Sequence, residues 1–166
     1  MQLIDEEIIR ATLEAAHRSP RRRMNHNFHA GPEDNPHRFL NVLLQNTYVA
    51  PHRHLVPPKA ESFLVLEGCI ALFCFDDGGA VRSRHLLGDR SPATARGIDL
   101  EPGVWHTLTA ITPYAVCYEV KPGPWDPTTD KEFAPWAPRE GDPRAEAYLA
   151  ALLNHDSGNR ANVIRS

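Results

Sequence analysis

Between Arg38 and Lys121 the chain is cut into short apolar runs bounded by turn residues, and this segmentation limits the possible folds more than any other feature. The runs are Arg38 to Leu44, Thr47 to His52, Glu61 to Leu66, Cys69 to Phe75, Val81 to Leu87, Gly97 to Leu100, Val104 to Ala110 and Tyr114 to Lys121. They are rich in Val, Leu, Phe and Tyr, as strands are. Asp76-Asp77-Gly78-Gly79 marks a hairpin, because its glycines supply positive φ. The 15 prolines and 10 glycines are spread as punctuation, which favours many short strands over long helices. The expected fold class is therefore all-β, a double-sheet jelly roll or small barrel.

The flanks read differently. Residues 5 to 18 are expected to form a helix, with Asp5 as N-cap, Ile9, Leu13 and Ala16 on one stripe, and Ser19-Pro20 as the stop. Residues 21 to 37 are polar and read as irregular. The basic run Arg21-Arg22-Arg23 there reads as a solvated face, and His26, His29 and His37 as loop histidines, one of which could line a pocket mouth. Residues 122 to 142 are rich in proline and aromatics and read as an ordered strap, because Trp125, Phe133 and Trp136 need burial. A short helix follows, with Asp142 as N-cap and Pro143 at its first position, running to about Leu153. The expected organisation is a helix packed on the barrel over 1–22, the barrel over 23–122, strap and helix over 123–153, and a disordered tail over 154–166.

Composition excludes several classes of function. A net charge of −3 lacks the footprint of a non-specific nucleic-acid binder. No run approaches the ~20 apolar residues of a membrane span, and the acidic N-terminus does not read as a secretory signal. The cysteines Cys69, Cys74 and Cys117 lie in apolar runs without metal spacing and read as reduced thiols, which points to the cytoplasm.

The chemistry concentrates in four residues. His52 and His54 lie two apart, so on an extended strand both side chains project from one face. Glu61 opens a later strand, and His106 follows the turn Pro102-Gly103. Three imidazoles and a carboxylate suit one divalent transition metal ion such as Zn, Fe, Mn, Ni or Cu. A single histidine is more often a surface or hydrogen-bonded residue; it is the combination that argues for a metal. By the same parity Tyr48 is a pocket candidate, and Lys59 and Glu119 are the other two. Glu119 and Lys121 share a face, at most one of Arg38 and Asn41 points inward, Trp105 packs away from the metal, and Lys59 leans over the entrance from the loop 55–60.

These motifs resemble those of the cupin superfamily. The first motif reads His52-x-His54, Glu61, Gly68, and the second reads Gly97, Pro102-Gly103, His106. Counting back from Gly68 puts Glu61 at the ligand place, although the loop after His54 is longer than usual. Ala110 stands where the family often has Asn. PHRH, ESFLVLEG, PGVWHTL and EVKPGPWDPTTDKEFAPWAPREGDP together resemble the WbuC family of cupin-fold metalloproteins, from about Ser19 to Pro143.

The resemblance implies a cupin-type double-stranded β-helix with a short N-terminal helix and a Pro/Trp-rich C-terminal strap, and metal ligands at His52, His54, Glu61 and His106. It also implies an association with surface-polysaccharide synthesis. Cupins use such sites for oxygenation, isomerisation, epimerisation and decarboxylation, and also for plain ligand binding. The expected function is a metal-dependent enzyme, of the isomerase/epimerase or oxygenase type, acting on a small polar, sugar-derived ligand. The alternatives are a non-catalytic carbohydrate-binding cupin and a structural zinc site. A homodimer is the default expectation for such a barrel.

Overall fold

The computed structural model describes residues 1–155. Helix α1 spans Glu6–Arg18 and is followed by ten strands: β1 Arg23–Asn27, β2 His37–Leu44, β3 His52–Arg53, β4 Glu61–Glu67, β5 Cys69–Phe75, β6 Val81–Gly88, β7 Gly97–Leu100, β8 Trp105–Ala110, β9 Tyr114–Lys121 and β10 Glu132–Phe133. Helix α2, Ala145–Asn154, ends the described chain. One sheet has the order β1-β2-β9-β4-β7 and the other β10-β3-β8-β5-β6. Their strands pair antiparallel, and the two sheets pack face to face as a jelly-roll barrel.

Period-two alternation sorts the side chains. On β2, Leu43 enters the core between the sheets, with Val65, Ile70, Leu72, Leu108 and Cys117. Leu40, Val42 and Leu44 point the other way and, with Val116, receive the Ile9 and Ala16 stripe of α1. The Asp5 carboxylate caps α1 by accepting from the Ile8 amide at 3.1 Å. The outer face of the second sheet is covered too: Phe73, Phe75 and Trp105 pack against Ala134 of the strap and Leu152 of α2. The β5–β6 hairpin turns as the sequence indicates, with the Asp76 carboxylate accepting from the Gly78 and Ala80 amides and Gly79 at φ 88°. Burial raises the thiols of Cys69, Cys74 and Cys117, and all three are free.

Four local expectations are corrected. Residues 23–27, expected to be irregular, form β1, which pairs along its whole length with β2. The run Thr47 to His52 is not a strand: only His52–Arg53 ladders, and Thr47 instead donates its hydroxyl to the Arg21 carbonyl at 2.7 Å. The strap supplies the short strand β10 against β3. Asp142 does not cap α2; its carboxylate accepts from the Arg144 amide in a preceding turn, and the helix begins at Ala145. The expected tail falls outside the described residues from position 156 onward. No helix among the described residues is long and apolar enough to cross a membrane.

Candidate metal centre

Antiparallel pairing brings the ends of three strands to one place. His52 of β3 sits directly opposite His106 of β8, with ring centroids 4.5 Å apart. His54 follows two residues later with its ring perpendicular to that of His52. Glu61, the first residue of β4, reaches in from the facing sheet. Its Oε1 lies 3.0 Å from His54 Nε2 and its Oε2 lies 3.0 Å from His106 Nε2. One ligand atom from each of the four residues lies within 4.8 Å of all the others, and all four residues are buried.

Each imidazole is oriented by a backbone carbonyl. Nδ1 of His52 donates to the Ala50 carbonyl at 3.0 Å, Nδ1 of His106 to Val104 at 2.9 Å, and Nδ1 of His54 to Asp130. A carbonyl only accepts, so each ring carries a proton on Nδ1, and a neutral ring then has its lone pair on Nε2. Yet His54 Nε2, His106 Nε2 and Glu61 Oε2 are buried without a well-formed hydrogen-bond partner. Orphaned buried donor atoms that converge are costly unless something fills the space between them. A cation does so: ligands at right angles, about 2.1 Å from one ion, lie about 3.0 Å apart. Protonation states agree. Burial pushes the Glu61 carboxyl up, but hydrogen bonds and positive charge from His106 and His54, when those rings are protonated, overcome this and hold it well below its ordinary value; a cation between them would supply the same charge. Burial, with Lys131 and His106, holds His52 well below an ordinary imidazole. Carboxylate and neutral imidazoles are the metal-binding forms.

The cluster opens onto a cavity of about 930 Å³. Its floor carries His52, Glu61, His106, Phe63 and Leu108, with Asn41, Glu119 and Lys121 beside them. Asn41 donates to Glu119 Oε2 at 3.0 Å, and burial next to the Glu61 charge pushes the Glu119 carboxyl up to about 8. Asp130, in the strap, is buried between two lysines, 2.9 Å from both Lys59 and Lys121. Lys121 also stands 3.6 Å from Glu61.

Of the three pocket candidates, Glu119 lines the cavity and two do not. Tyr48 turns outward, donating its hydroxyl to Pro138 at 2.7 Å and meeting Tyr148 of α2 edge-on. The parity argument fails there because residues 47–51 are not a strand, and Val49 lines the cavity instead. Lys59 is no entrance residue: it is buried beneath the strap, bonded to Asp130 and to the Pro124 carbonyl. Asn41 is the inward member of its pair with Arg38. Trp105 packs away from the cluster under Arg53. His29 and His37, read as loop histidines, stack at 4.0 Å and line the cavity. So do Arg21 and Arg23, from a run that reads as a solvated face; Arg23 bonds Glu140 at 2.6 Å. Sequence reasoning also missed Asp130, Lys131 and Arg139, which the strap brings to the site without any periodicity to announce them.

Barrel and buried donor cluster together make a cupin-type jelly roll, and solved structures share the fold. CapF, the capsular polysaccharide assembling protein of Staphylococcus aureus, matches with a TM-score of 0.56 at 18% identity, over 69% of this chain and 32% of CapF. TT1209 from Thermus thermophilus matches at 0.53 and 14% identity, over 74% of this chain and 98% of TT1209. Oxalate oxidase, solved with the substrate analogue glycolate, matches at 0.51 and 12% identity, over 70% of this chain and 57% of the oxidase. The chain thus spans about a third of the length of CapF. It belongs to the family described as Domain of unknown function (DUF6016), whose model matches residues 4–87 and so includes His52, His54 and Glu61. No curated protein matches the chain.

Proposed function

We propose that this protein is a metal-dependent cupin enzyme of the isomerase/epimerase or oxygenase type, acting on a small polar, sugar-derived substrate. The observation that carries the proposal is the convergence of buried, unpartnered His54 Nε2, His106 Nε2 and Glu61 Oε2, with His52 beside them, on the floor of an open cavity. A structural zinc site would be closed on all sides, whereas this one faces a space large enough for a substrate. A bound divalent ion supplies Lewis acidity toward a substrate carbonyl or hydroxyl. The chain's own residues do the rest. The carbonyls of Ala50, Val104 and Asp130 hold the imidazoles in register. Glu119, buried on the same floor and held above its ordinary value in the metal-free site, places a carboxyl where it can take part in proton transfer. That group separates this reading from a plain binding module. The sugar-derived substrate class rests on the WbuC-like strap and on the fold shared with CapF, a capsular polysaccharide assembling protein. A cytoplasmic homodimer belongs to the same proposal.

The test is elemental analysis of the natively expressed protein, alongside His52→Ala/His54→Ala. About one equivalent of transition metal is expected in the wild type and none in the variant, with far-UV circular dichroism unchanged. Equal metal content in the two proteins would overturn the site.

A further inference from the structure

The charges around the cavity do not balance, and the imbalance is localised. On the floor each carboxylate has a partner: Glu61 belongs to the donor cluster and stands 3.6 Å from Lys121, Asp130 lies against Lys59 and Lys121, and Glu119 accepts from Asn41 at 3.0 Å. At the rim Glu140 is taken by Arg23 at 2.6 Å. Three further cations line the cavity: Arg21 and Arg139 from exposed positions, and Lys131 from further in, where burial holds its ammonium below its ordinary value. Among the described residues none of them has a carboxylate within 4.0 Å. They come from three separate places, the end of the α1 turn, the strap beside Asp130, and the segment before α2.

Two of these cations are held in place. The Arg21 carbonyl accepts from the Thr47 hydroxyl at 2.7 Å, which anchors its backbone. The Arg139 guanidinium stands 4.5 Å over the Phe133 ring, itself a cavity wall. Ordinary surface cations point away from one another into water. Three that line one cavity without a direct ion-pair partner make a focused positive potential. The cavity is also far larger than one metal-bound group requires.

We propose that the ligand of this cavity carries a phosphate or carboxylate group, which Arg21 and Arg139 bind at the rim and Lys131 from further in, while its polar remainder extends to the His52/His54/Glu61/His106 floor. This rests on the proposed function only for what lies at the floor; the rim stands on its own charges. Guanidinium groups suit both anions, since their paired donors match two oxygens. The rim therefore sets ligand class, and the floor sets chemistry.

The experiment is calorimetric titration of the metal-loaded protein with a hexose, the matching hexuronate and the hexose 6-phosphate. The same titrations are made on the triple variant Arg21→Gln/Lys131→Gln/Arg139→Gln. Arg21 and Arg139 are exposed and none of the three is ion-paired, so the variant is expected to fold, with circular dichroism as the check. At least one anionic sugar should bind tenfold or more tighter than the neutral sugar to the wild type. That preference should fall to under threefold in the variant and weaken with added salt. Whichever anion is preferred identifies the group. No binding by either anion, or a preference that the triple variant retains, overturns the proposal. Inorganic phosphate titrated into His52→Ala/His54→Ala separates the two claims. Binding that persists there and vanishes in the triple variant upholds the rim even where the metal site fails.

Discussion

The two ends of the barrel interior are built from the same strands and the same inward faces, yet they have opposite chemistry. At the closed end β2 contributes Leu43, β4 Val65, β8 Ala110 and β9 Ala115 and Cys117, all in one apolar cluster. At the open end the same faces present His37 and Asn41, Glu61, His106, and Glu119 and Lys121. Alternation decides which face a residue joins. Position along the strand decides whether that face is oil or functional groups. The closed end is stabilised by removing apolar surface from water. The open end buries Lys59 and Lys121 and tolerates their charge because both are matched, with Asp130 as the central counter-ion.

The contrast breaks most readily at Asp130. Asp130→Ala strands two buried ammonium groups, Lys59 and Lys121, and is expected to cost about 3–5 kcal/mol in urea denaturation of the metal-free protein. A loss below about 1 kcal/mol would show that the lysines can reach water, and that the open end is not ion-paired in the sense argued. At the closed end, Leu72→Ala removes a fully buried side chain from the apolar cluster. About 2–5 kcal/mol is expected, through lost burial and a residual cavity. Metal content per folded molecule should stay unchanged. Metal lost in step with stability would show that the two ends are mechanically one unit, which would dissolve the comparison.

The same contrast explains what the sequence disclosed. Strands that serve the closed end announce themselves, because Phe63 and Val65 or Ile70 and Leu72 must be apolar and lie on known faces. The turn at Asp76–Gly79 was equally plain, since its geometry is local. The four clustered donors were legible because three sit on or beside strands at motif spacing, and Gly68, at φ 76°, fixes the count back to Glu61. The rest of the open end depends on contacts distant in sequence. Lys59 reads as a loop lysine because its partner Asp130 lies 71 residues on. Arg23 reads as surface because Glu140 lies 117 residues on. β1 is a polar edge strand, with the sequence RMNHN, whose only signal is its pairing with β2. Thr47–Pro51 shows the reverse error: strand-forming residues in a segment buried by the strap and not laddered to a neighbour.

The smallest effect is also the most specific test of the open end. Burial beside Glu61 raises the Glu119 carboxyl from an ordinary 4.5 to about 8. Between those values the native protein holds a proton there that the unfolded chain has released. Stability therefore falls as pH rises through this window, by about 1.4 kcal/mol per pH unit for one proton, and the effect levels off above the native value. Glu119→Gln keeps the size of the side chain and an oxygen able to accept from Asn41, but it cannot ionise. Chemical denaturation of chelator-treated protein at pH 6 and pH 7 should show the wild type losing about 1.4 kcal/mol more than the variant across that step. No equivalent slope should arise from the closed end, where Cys117 stays protonated throughout this range. Parallel losses in wild type and variant would mean that Glu119 ionises at an ordinary pH, that the floor is wetter than its burial indicates, and that the raised carboxyl offered for proton transfer is absent.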